Sequence, residues 1–330
     1  MKILFIGGTG VISSASSELA VERGDELFLL NRGESKRSMP KSAHILKADI
    51  RDKDSVQKAL GSMTFDAVVN WIAFAPEHIE TDIELFRDRT EQYVFISSAS
   101  AYQTPPVNLP VTESTPLSNP FWQYSRDKIA CEERLVRAYR EEQFPMTIVR
   151  PSHTYDQTML PLKGRYTAID RMRKGKKVIV HGDGSALWTL THTRDFAKGF
   201  VGLLGQSRAI GEAFQITSDE FLTWNQIYEL AARAAGTIAQ IVHIPSDIIA
   251  KYDADWGAEL FGDKAHSMIF DNTKIKRIVP DFAAVIPFSR GIKEIINWFD
   301  ADPSRQIVDE RLNQLMDQII ADWESAFSSN

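Results

Sequence analysis

The first 32 residues constrain the fold of this chain more than any other segment. A short apolar strand at residues 3–6 runs directly into Gly-Gly-Thr-Gly at residues 7–10. An amphipathic helix follows, and then a second strand that ends at Asn31 and Arg32. A glycine turn between a strand and a helix lets the backbone approach phosphates, which the free N–H groups of the helix N-terminus then bind. The arrangement predicts a βαβ unit with a dinucleotide site; a structural turn without a ligand is the alternative.

Strand and helix patterns alternate through the first half of the chain. This alternation predicts an α/β fold, a doubly wound parallel Rossmann sheet, with a smaller mixed α/β C-terminal substrate lobe. The predicted strands are 3–6, 27–30, 43–47, 67–72, 93–97 and 146–150. The predicted helices are 10–23, 55–60, 76–87 and 122–142.

We predict a dinucleotide-binding Rossmann domain at residues 1–152 and a mainly substrate-binding lobe at residues 153–330. A return to the first domain is expected around residues 187–217. The last segment, 304–327, shows apolar side chains at helical spacing and predicts a long terminal helix. We expect its apolar face to pack on the protein's own core, with a dimer contact as the alternative. The apolar positions are Ile307, Leu312, Leu315, Ile319 and Trp323.

The composition excludes several classes of protein. The 330 residues carry a net charge of −6, which makes binding to nucleic acid unfavourable. No apolar run is long enough to span a bilayer, and a strand begins at once, so we expect neither a membrane segment nor a signal peptide. Cys131 is the only cysteine, which excludes an intramolecular disulfide and is typical of a cytoplasmic protein. The scattered histidines predict no metal site.

Three segments downstream of the glycine turn could carry chemistry. The fifth strand ends in a serine-rich segment that includes Ser98, and the sixth is followed by residues 151–153. Tyr124 and Lys128 are four residues apart and share one face of a helix. A lysine one turn away favours the phenolate, so we expect a lowered pKa of Tyr124 and a role in moving protons. Taken singly, these segments also fit a surface pair and ordinary turns.

The motifs together resemble an extended short-chain dehydrogenase/reductase of the NAD-dependent epimerase/dehydratase family. GGTGVIS resembles the glycine turn GGTGFIG, ISSASAYQ resembles SSSxVYG, and YSRDK matches YxxxK. The resemblance implies that Ser98 orients a substrate oxygen and that Tyr124 is the acid/base. It also implies that Lys128 tunes Tyr124 and bonds the nicotinamide ribose.

The likeness extends to KADIRD, VNWIAF and RPSHTYD, segments that lie along the cofactor in the family. Ser100 is a further candidate for contact with the substrate. Trp188 could stack on a substrate, but a core position is the favoured interpretation. The expected cofactor contacts are Gly7, Gly8, Thr9, Gly10, Val11, Ile12, Asn31, Arg32, Asp49, Ile50, Trp71, Ile72, Ala73, Ser97, Tyr124, Lys128, Pro151, Ser152 and His153.

Two departures from the family pattern concern the cofactor. Ser13 replaces the third glycine of the turn, and its small side chain predicts an altered turn that keeps the site. Asn31 and Arg32 replace the acidic residue that would bond the adenosine ribose of NAD. Because arginine pairs with phosphate oxygens, we predict NADP in preference to NAD. A solvated basic loop, with Lys36 and Arg37, is the alternative.

Two further departures concern partners and substrate. Residues 73–97 have room for one helix where extended members carry two, which puts the usual four-helix dimer in doubt and leaves a monomer or a homodimer. This shortening resembles an atypical subgroup that includes the chloroplast stem-loop RNA-binding proteins. Trp188 lies near the position of a diphosphate-binding arginine, and Ala99 follows Ser98 where dehydratases have aspartate. Both differences weaken a nucleotide-sugar dehydratase assignment.

The sequence thus predicts an NAD(P)-dependent oxidoreductase or epimerase that transfers hydride at an alcohol or carbonyl carbon of a sugar-like or other small substrate. Reductase and epimerase use the same residues and stay open. The alternatives are an RNA-associated protein and a cofactor-sensing protein without turnover on the same scaffold.

Overall fold

The computed structural model describes residues 1–35 and 37–327, and within them a seven-stranded parallel sheet forms the centre of the molecule. Its order is β11-β6-β5-β4-β1-β2-β3, so the first six strands follow the Rossmann order. The fold is therefore the doubly wound α/β arrangement expected from the sequence. The strands are β1 Lys2–Ile6, β2 Glu26–Asn31, β3 His44–Lys47, β4 Ala67–Asn70, β5 Tyr93–Ile96, β6 Met146–Pro151, β7 His153–Tyr155, β8 Lys177–His181, β9 Leu187–Trp188, β10 Leu190–His192, β11 Ala213–Ile216, β12 Leu222–Thr223 and β13 Gln240–Ile244.

Helices cover both faces of the sheet because successive side chains of each strand point to opposite faces. The helices are α1 Val11–Glu22, α2 Lys53–Leu60, α3 Pro76–Phe86, α4 Gln123–Glu142, α5 Tyr166–Arg173, α6 Thr193–Leu203, α7 Trp224–Ala234, α8 Ser246–Tyr252, α9 Ala254–Glu259, α10 Thr273–Ile278, α11 Phe288–Asp300 and α12 Glu310–Phe327. In β1, Leu4 and Ile6 pack under α2, α3 and α4, whereas Ile3 and Phe5 pack under α1 and α6.

All six predicted strands and all four predicted helices of the first half are confirmed, with shifts at their ends. The fourth strand stops at Asn70, two residues early, because the Asn70 Oδ1 accepts a hydrogen bond from the Ile72 N–H at 2.8 Å. The second helix starts at Lys53, since the Asp52 side chain caps it by accepting from Ser55 N at 3.1 Å. As expected from the shortened segment, a single helix, α3, connects β4 and β5.

The second half of the chain contributes to two regions. Strand β11 joins the central sheet beside β6, and α6 packs against α1. The other strands form three two-stranded sheets, β7 with β10, β8 with β13, and β9 with β12. These small sheets lie beyond the carboxyl end of β6, and the division of the chain at residue 152 stays a prediction.

The terminal helix packs on the protein's own core, as expected, but it begins later than the spacing predicted. Met316, Ile319 and Ile320 are buried in one cluster with Ile179 and other apolar side chains. The helix starts at residue 310, after a separate 3₁₀ turn at Pro303–Arg305. Ile307 lies between the two and is 75% exposed, so the prediction that it packs with the helix was wrong. None of the helices in the described part of the chain has the length and apolar character needed to cross a membrane.

Candidate active site

The turn at the end of β1 requires glycine at residues 7 and 8. Gly7 and Gly8 have φ of +99° and +87°, in the left-handed region that favours glycine. A Cβ on Gly8 would lie 2.6 Å from the Leu29 Cδ2. Helix α1 begins at once and has no acidic residue in its first turn, so its N-terminus stays suited to an anion. Ser13, in place of the third glycine, accepts a hydrogen bond from Gly10 N at 2.8 Å and keeps the turn closed.

Cavities lie on the two sides of this turn, at the carboxyl ends of the strands. One, of about 390 Å³, follows β2 and is lined by Thr9, Asn31, Arg32, Asp49, Ile50 and Ile72 among others. The other, of about 420 Å³, includes Ile12, Trp71, Ser97, Ser98, Ser100, Tyr124, Lys128, Pro151, Ser152, His153 and Trp188. Phe74 lines both. Two cavities that share Phe74 as a lining residue beside a helix N-terminus fit a dinucleotide, whose two nucleoside ends flank a pyrophosphate.

Hydrogen bonds and packing hold the predicted cofactor residues in place within and around these cavities. Gly7, Gly8, Gly10 and Val11 form the turn and the start of α1. The Ala73 carbonyl accepts a hydrogen bond from Lys128. Ser97 donates to the buried Glu132, and the Ser152 hydroxyl lies 2.7 Å from that of Thr191. Trp71 packs against Phe5 and Phe200.

The basic residues after β2 have different surroundings. Arg32 is 62% exposed and pairs with Glu34 at 3.1 Å beside the 390 Å³ cavity. Arg37 points elsewhere, since it pairs with Asp156 at 2.6 Å and donates to Thr158. Lys36 lies outside the described residues. The buried Asn31 Nδ2 has no hydrogen-bond partner in the described part of the protein, which leaves a donor toward this cavity.

A row of hydroxyl groups leads to Tyr124 in the 420 Å³ cavity, which we call the catalytic cavity. Ser125 donates to the Ser100 Oγ at 2.8 Å, and the Ser100 and Ser98 hydroxyls lie 2.9 Å apart. The Ser98 hydroxyl is also close enough to Tyr124 to act against the rise in its pKa. Ser98 and Tyr124 both line the cavity, where each presents a hydroxyl group. Sequence reasoning missed Ser125, which lies directly after Tyr124 on the buried side of α4.

The expectation that Lys128 lowers the pKa of Tyr124 was wrong. Burial raises the pKa of Tyr124 to about 12, against the effect of the hydrogen bond from Ser98. The Lys128 Nζ is 5.8 Å from the Tyr124 ring centroid and donates to the Ala73 and Ile96 carbonyls at 2.7 and 2.8 Å. Loss of hydration therefore outweighs the lysine charge, and the phenol stays protonated at neutral pH.

Lys128 itself is buried, 1% exposed, with no ion pair in the described part of the chain. Burial lowers its pKa to about 8. The rings of Phe74 and Phe95 lie 4.8 and 4.7 Å from its ammonium and stabilise the charge. An ammonium group has three donors, and two are used by main-chain carbonyls, so one is left for a group in the cavity.

His153 presents a nitrogen to the same cavity in a defined protonation state. Its Nδ1 accepts a hydrogen bond from the Trp188 Nε1 at 3.2 Å. Because the indole N–H can only donate, the neutral ring must carry its own proton on Nε2. Burial, with the nearby charge of Lys264, lowers the pKa of His153 to about 3 and keeps the ring neutral. Trp188 is 4% exposed and stacks on Trp224 at 5.4 Å, so it is both a core residue and part of the cavity wall.

Two further residues that line the catalytic cavity were missed by sequence reasoning. Asp263 and Lys264 belong to a π-helical turn at Leu260–Lys264, and no motif in the sequence marked them. A third cavity of about 900 Å³ adjoins the catalytic cavity, and His153 and Lys264 line both. In the described residues, no cluster of three His, Cys, Asp or Glu side chains could hold a metal ion.

Comparison with known proteins agrees with this architecture. The chain is 28% identical over 263 residues to the chloroplast stem-loop binding protein of 41 kDa b from Arabidopsis thaliana. That match covers 73% of this chain but 65% of the plant protein, less than two thirds of its length. This chain is also 23% identical over 287 residues to 2'-dehydrokanamycin reductase from Streptomyces kanamyceticus, and the match covers 86% of this chain and 80% of that enzyme.

Solved structures share the fold at lower sequence identity. An epimerase from Methanothermobacter thermautotrophicus superposes with a TM-score of 0.75 at 17% identity, over 92% of this chain and 94% of that one. UDP-glucose 4-epimerase from Bifidobacterium longum, in complex with NAD+ and UDP, superposes with a TM-score of 0.74 at 16% identity, over 92% of this chain and 100% of that one. The model of the NAD dependent epimerase/dehydratase family matches residues 3–217, about two thirds of the sequence. The chain therefore belongs to the NAD-dependent epimerase/dehydratase family.

Proposed function

We propose that this protein is an NAD(P)-dependent oxidoreductase or epimerase that transfers hydride at an alcohol or carbonyl carbon of a sugar-like or other small substrate. The observation that carries the proposal is the catalytic cavity itself, where Ser98, Tyr124 and Lys128 line one wall beside the glycine turn. A bound nicotinamide dinucleotide would supply the hydride acceptor or donor. The Gly7–Gly8 turn, the Asn31 amide and Lys128 are the groups that would hold it.

Each residue has a distinct task in this proposal. Ser98 fixes the substrate oxygen by a hydrogen bond, and the row through Ser100 and Ser125 keeps its hydroxyl oriented. Tyr124 is protonated at neutral pH, and its Oη–H donates the proton to the carbonyl oxygen of the substrate. This donation leaves a phenolate, which the hydrogen bond from Ser98 stabilises. In the reverse direction the phenolate takes the proton of an alcohol and becomes a phenol again. The free donor of Lys128 Nζ anchors the ribose at this end of the site.

Replacing Tyr124 with Phe tests the assignment. Because Y124F removes the proton donor and leaves the glycine turn intact, we expect turnover to fall about 10²–10⁴-fold with dinucleotide affinity within about twofold. Assays with a panel of carbonyl and sugar compounds, followed at the nicotinamide absorbance, measure it. Y139F is the matched control, since Tyr139 lies on the same helix and is 40% exposed. Full turnover in Y124F would remove Tyr124 from the mechanism.

We further propose that NADP is preferred to NAD. The support is the position of Arg32 at the 390 Å³ cavity and the absence of a carboxylate at the end of β2. Glu34 competes for the same guanidinium, so the preference is expected to be modest. Thermal shifts with NAD, NADH, NADP and NADPH rank the four, since stabilisation follows affinity. In R32A we expect the affinity for NADP to fall about tenfold, the effect of one charged hydrogen bond, and that for NAD to stay within twofold. Equal losses for both would show that Arg32 does not distinguish NADP from NAD.

An RNA-associated role is the second candidate, because the plant relative is named for stem-loop binding. The net charge of −6 counts against it, and RNA binding has no need of the Ser98, Tyr124 and Lys128 set. A gel-shift assay with stem-loop RNA at increasing salt decides the matter. Binding that weakens steeply with salt supports this role, and binding without such dependence removes it. A protein that binds NADPH but turns over nothing in the panel would fit the cofactor-sensing alternative.

A further inference from the structure

The π-helical turn at Leu260–Lys264 is built into the catalytic cavity by a single buried side chain. Asn119 donates from its Nδ2 to the Ser100 carbonyl at 2.9 Å and to the Gly262 carbonyl at 2.6 Å. Its Oδ1 accepts from Trp122 N at 3.2 Å, at the start of the helix that carries Tyr124. Asn119 therefore joins the serine segment, the Tyr124 helix and the π-helical turn in one geometry.

Packing fixes the turn as closely as these hydrogen bonds do. A Cβ on Gly262 would lie 2.6 Å from the Trp122 Cβ, so the backbone of the turn rests directly on the residue before α4. A π-helical turn has less favourable hydrogen bonds than an α-helix, and such turns occur frequently at functional sites. The consequence here is that Asp263, next to Gly262, lines the same cavity as Tyr124.

The carboxylate of Asp263 keeps free acceptor capacity. Its side chain is 18% exposed, and the Lys264 Nζ lies 3.4 Å from one of its oxygens. The same ammonium donates to Glu259 at 2.6 Å, so it is shared between the two carboxylates. The negative charge of Asp263 also reaches Tyr124, whose pKa it raises. Asp263 thus lines the cavity that contains Tyr124, and its Oδ1 has no hydrogen bond within the described residues.

We propose that Asp263 is a specificity-determining residue, which accepts a hydrogen bond from a hydroxyl or ammonium substituent next to the reacting carbon of the substrate. A carboxylate or phosphate at that point would be repelled by like charge. His153 lines the same cavity, and its Nε2–H requires an acceptor oxygen. The substrate class is therefore a polyhydroxylated or amino-substituted compound with no anionic group beside its reacting carbon. This inference rests on the proposed function, because it assigns a substrate group to the same cavity.

The test compares D263N with D255N, which removes the same charge from the exposed surface of the neighbouring helix α9. Calorimetry measures the binding of glucose, glucosamine and glucosamine N-sulfate, with and without NADP. These sugars differ only at C2, which carries a hydroxyl, an ammonium or an anionic sulfamate group. We expect wild type and D255N to bind glucose and glucosamine and to reject the N-sulfate. In D263N the affinity for glucosamine should fall about tenfold, that for glucose less, and that for the N-sulfate should rise. The ratio of glucosamine to glucose affinity in wild type separates recognition of an ammonium from that of a hydroxyl.

A second readout needs neither turnover nor a sugar. Tyrosine labelled with carbon-13 at Cζ gives an NMR signal for each tyrosine, and the Tyr124 signal is assigned by its loss in Y124F. The shift of this signal with pH reports the titration of Tyr124, which faces Asp263, Lys128 and Cys131. Loss of the Asp263 charge should move this titration to lower pH in D263N, with no change in D255N. Identical sugar affinities in D263N and wild type, or an unchanged Tyr124 titration, overturn the proposal, as does failure of all three sugars to bind. Failure of the proposed function is seen separately, as absence of dinucleotide binding or full turnover in Y124F.

Discussion

The two walls of the catalytic cavity differ in how the chain builds them. The first wall comes from the glycine turn, Ser98 and the Tyr124–Lys128 pair, each at the end of a strand or the start of a helix in the Rossmann sheet. The second wall comes from His153, Trp188 and the π-helical turn with Asp263, segments far apart in the sequence. The first wall depends on local backbone geometry and the second on contacts between distant segments.

This difference decides which residues leave a mark in the sequence. A left-handed turn requires glycine, and a helical pair requires a spacing of four, so the first wall is visible as a pattern. The second wall requires only that Asn119 reach two carbonyls and that Trp188 reach one histidine nitrogen. Many sequences could meet these requirements, so they form no recognisable motif. The first wall should therefore determine stability and cofactor binding, and the second should determine selectivity.

The largest expected effect concerns the buried ion pair beneath the first wall. Glu132 on α4 accepts from Arg150 on β6 at 2.5 Å, and the two side chains are 2% and 6% exposed. E132Q leaves the Arg150 charge buried without its partner and should lower the free energy of unfolding by about 3–5 kcal/mol. Urea denaturation measures it. E212Q, which breaks the exposed pair with Lys274, is the control and should cost at most about 1 kcal/mol. Similar losses in both variants would contradict a special role for the buried pair.

The next effect separates close packing from backbone strain at the glycine turn. Gly8 and Gly24 have nearly the same φ, +87° and +89°, but a Cβ on Gly24 meets nothing within 4 Å. G24A should therefore cost only the strain, about 1–2 kcal/mol. G8A should cost about 1–3 kcal/mol more, because its methyl group overlaps Leu29, and should also weaken dinucleotide binding. Equal unfolding free energies for the two variants would show that the turn can relax.

A smaller effect tests the second wall through pH. The folded protein keeps His153 neutral down to about pH 3, whereas the unfolded chain binds a proton near the ordinary pKa of 6.5. Because the unfolded state binds more protons, stability is lost as the pH falls below 6.5. Between pH 7.5 and pH 5, wild type should lose about 2 kcal/mol more than H153Q in urea denaturation. H44Q, at an exposed position on β3, should lose as much as wild type. If H153Q matched wild type, His153 would not be neutral in the folded state.

Much of the fold and of the first wall could be predicted from the sequence. Alternating patterns gave the strands and helices of the sheet, because each element must bury one face or both. The pKa of Tyr124 could not be predicted from the spacing to Lys128, because it depends on burial and on where the lysine donors point. The prediction that Ile307 packs with the terminal helix was wrong for a related reason. The helical spacing of apolar residues includes Ile307, but Asp302 and Pro303 form a separate turn before the helix begins.

The sequence by itself determined the Rossmann sheet, the glycine turn and the order of Ser98, Tyr124 and Lys128, because these follow from short-range backbone and spacing requirements. Only the tertiary structure decided what faces them across the cavity. It placed Asp263 in the same cavity as Tyr124, fixed the proton of His153 on Nε2 and raised the pKa of Tyr124. Burial and long-range hydrogen bonds cause all three, and these exist only once distant segments of the chain have packed together.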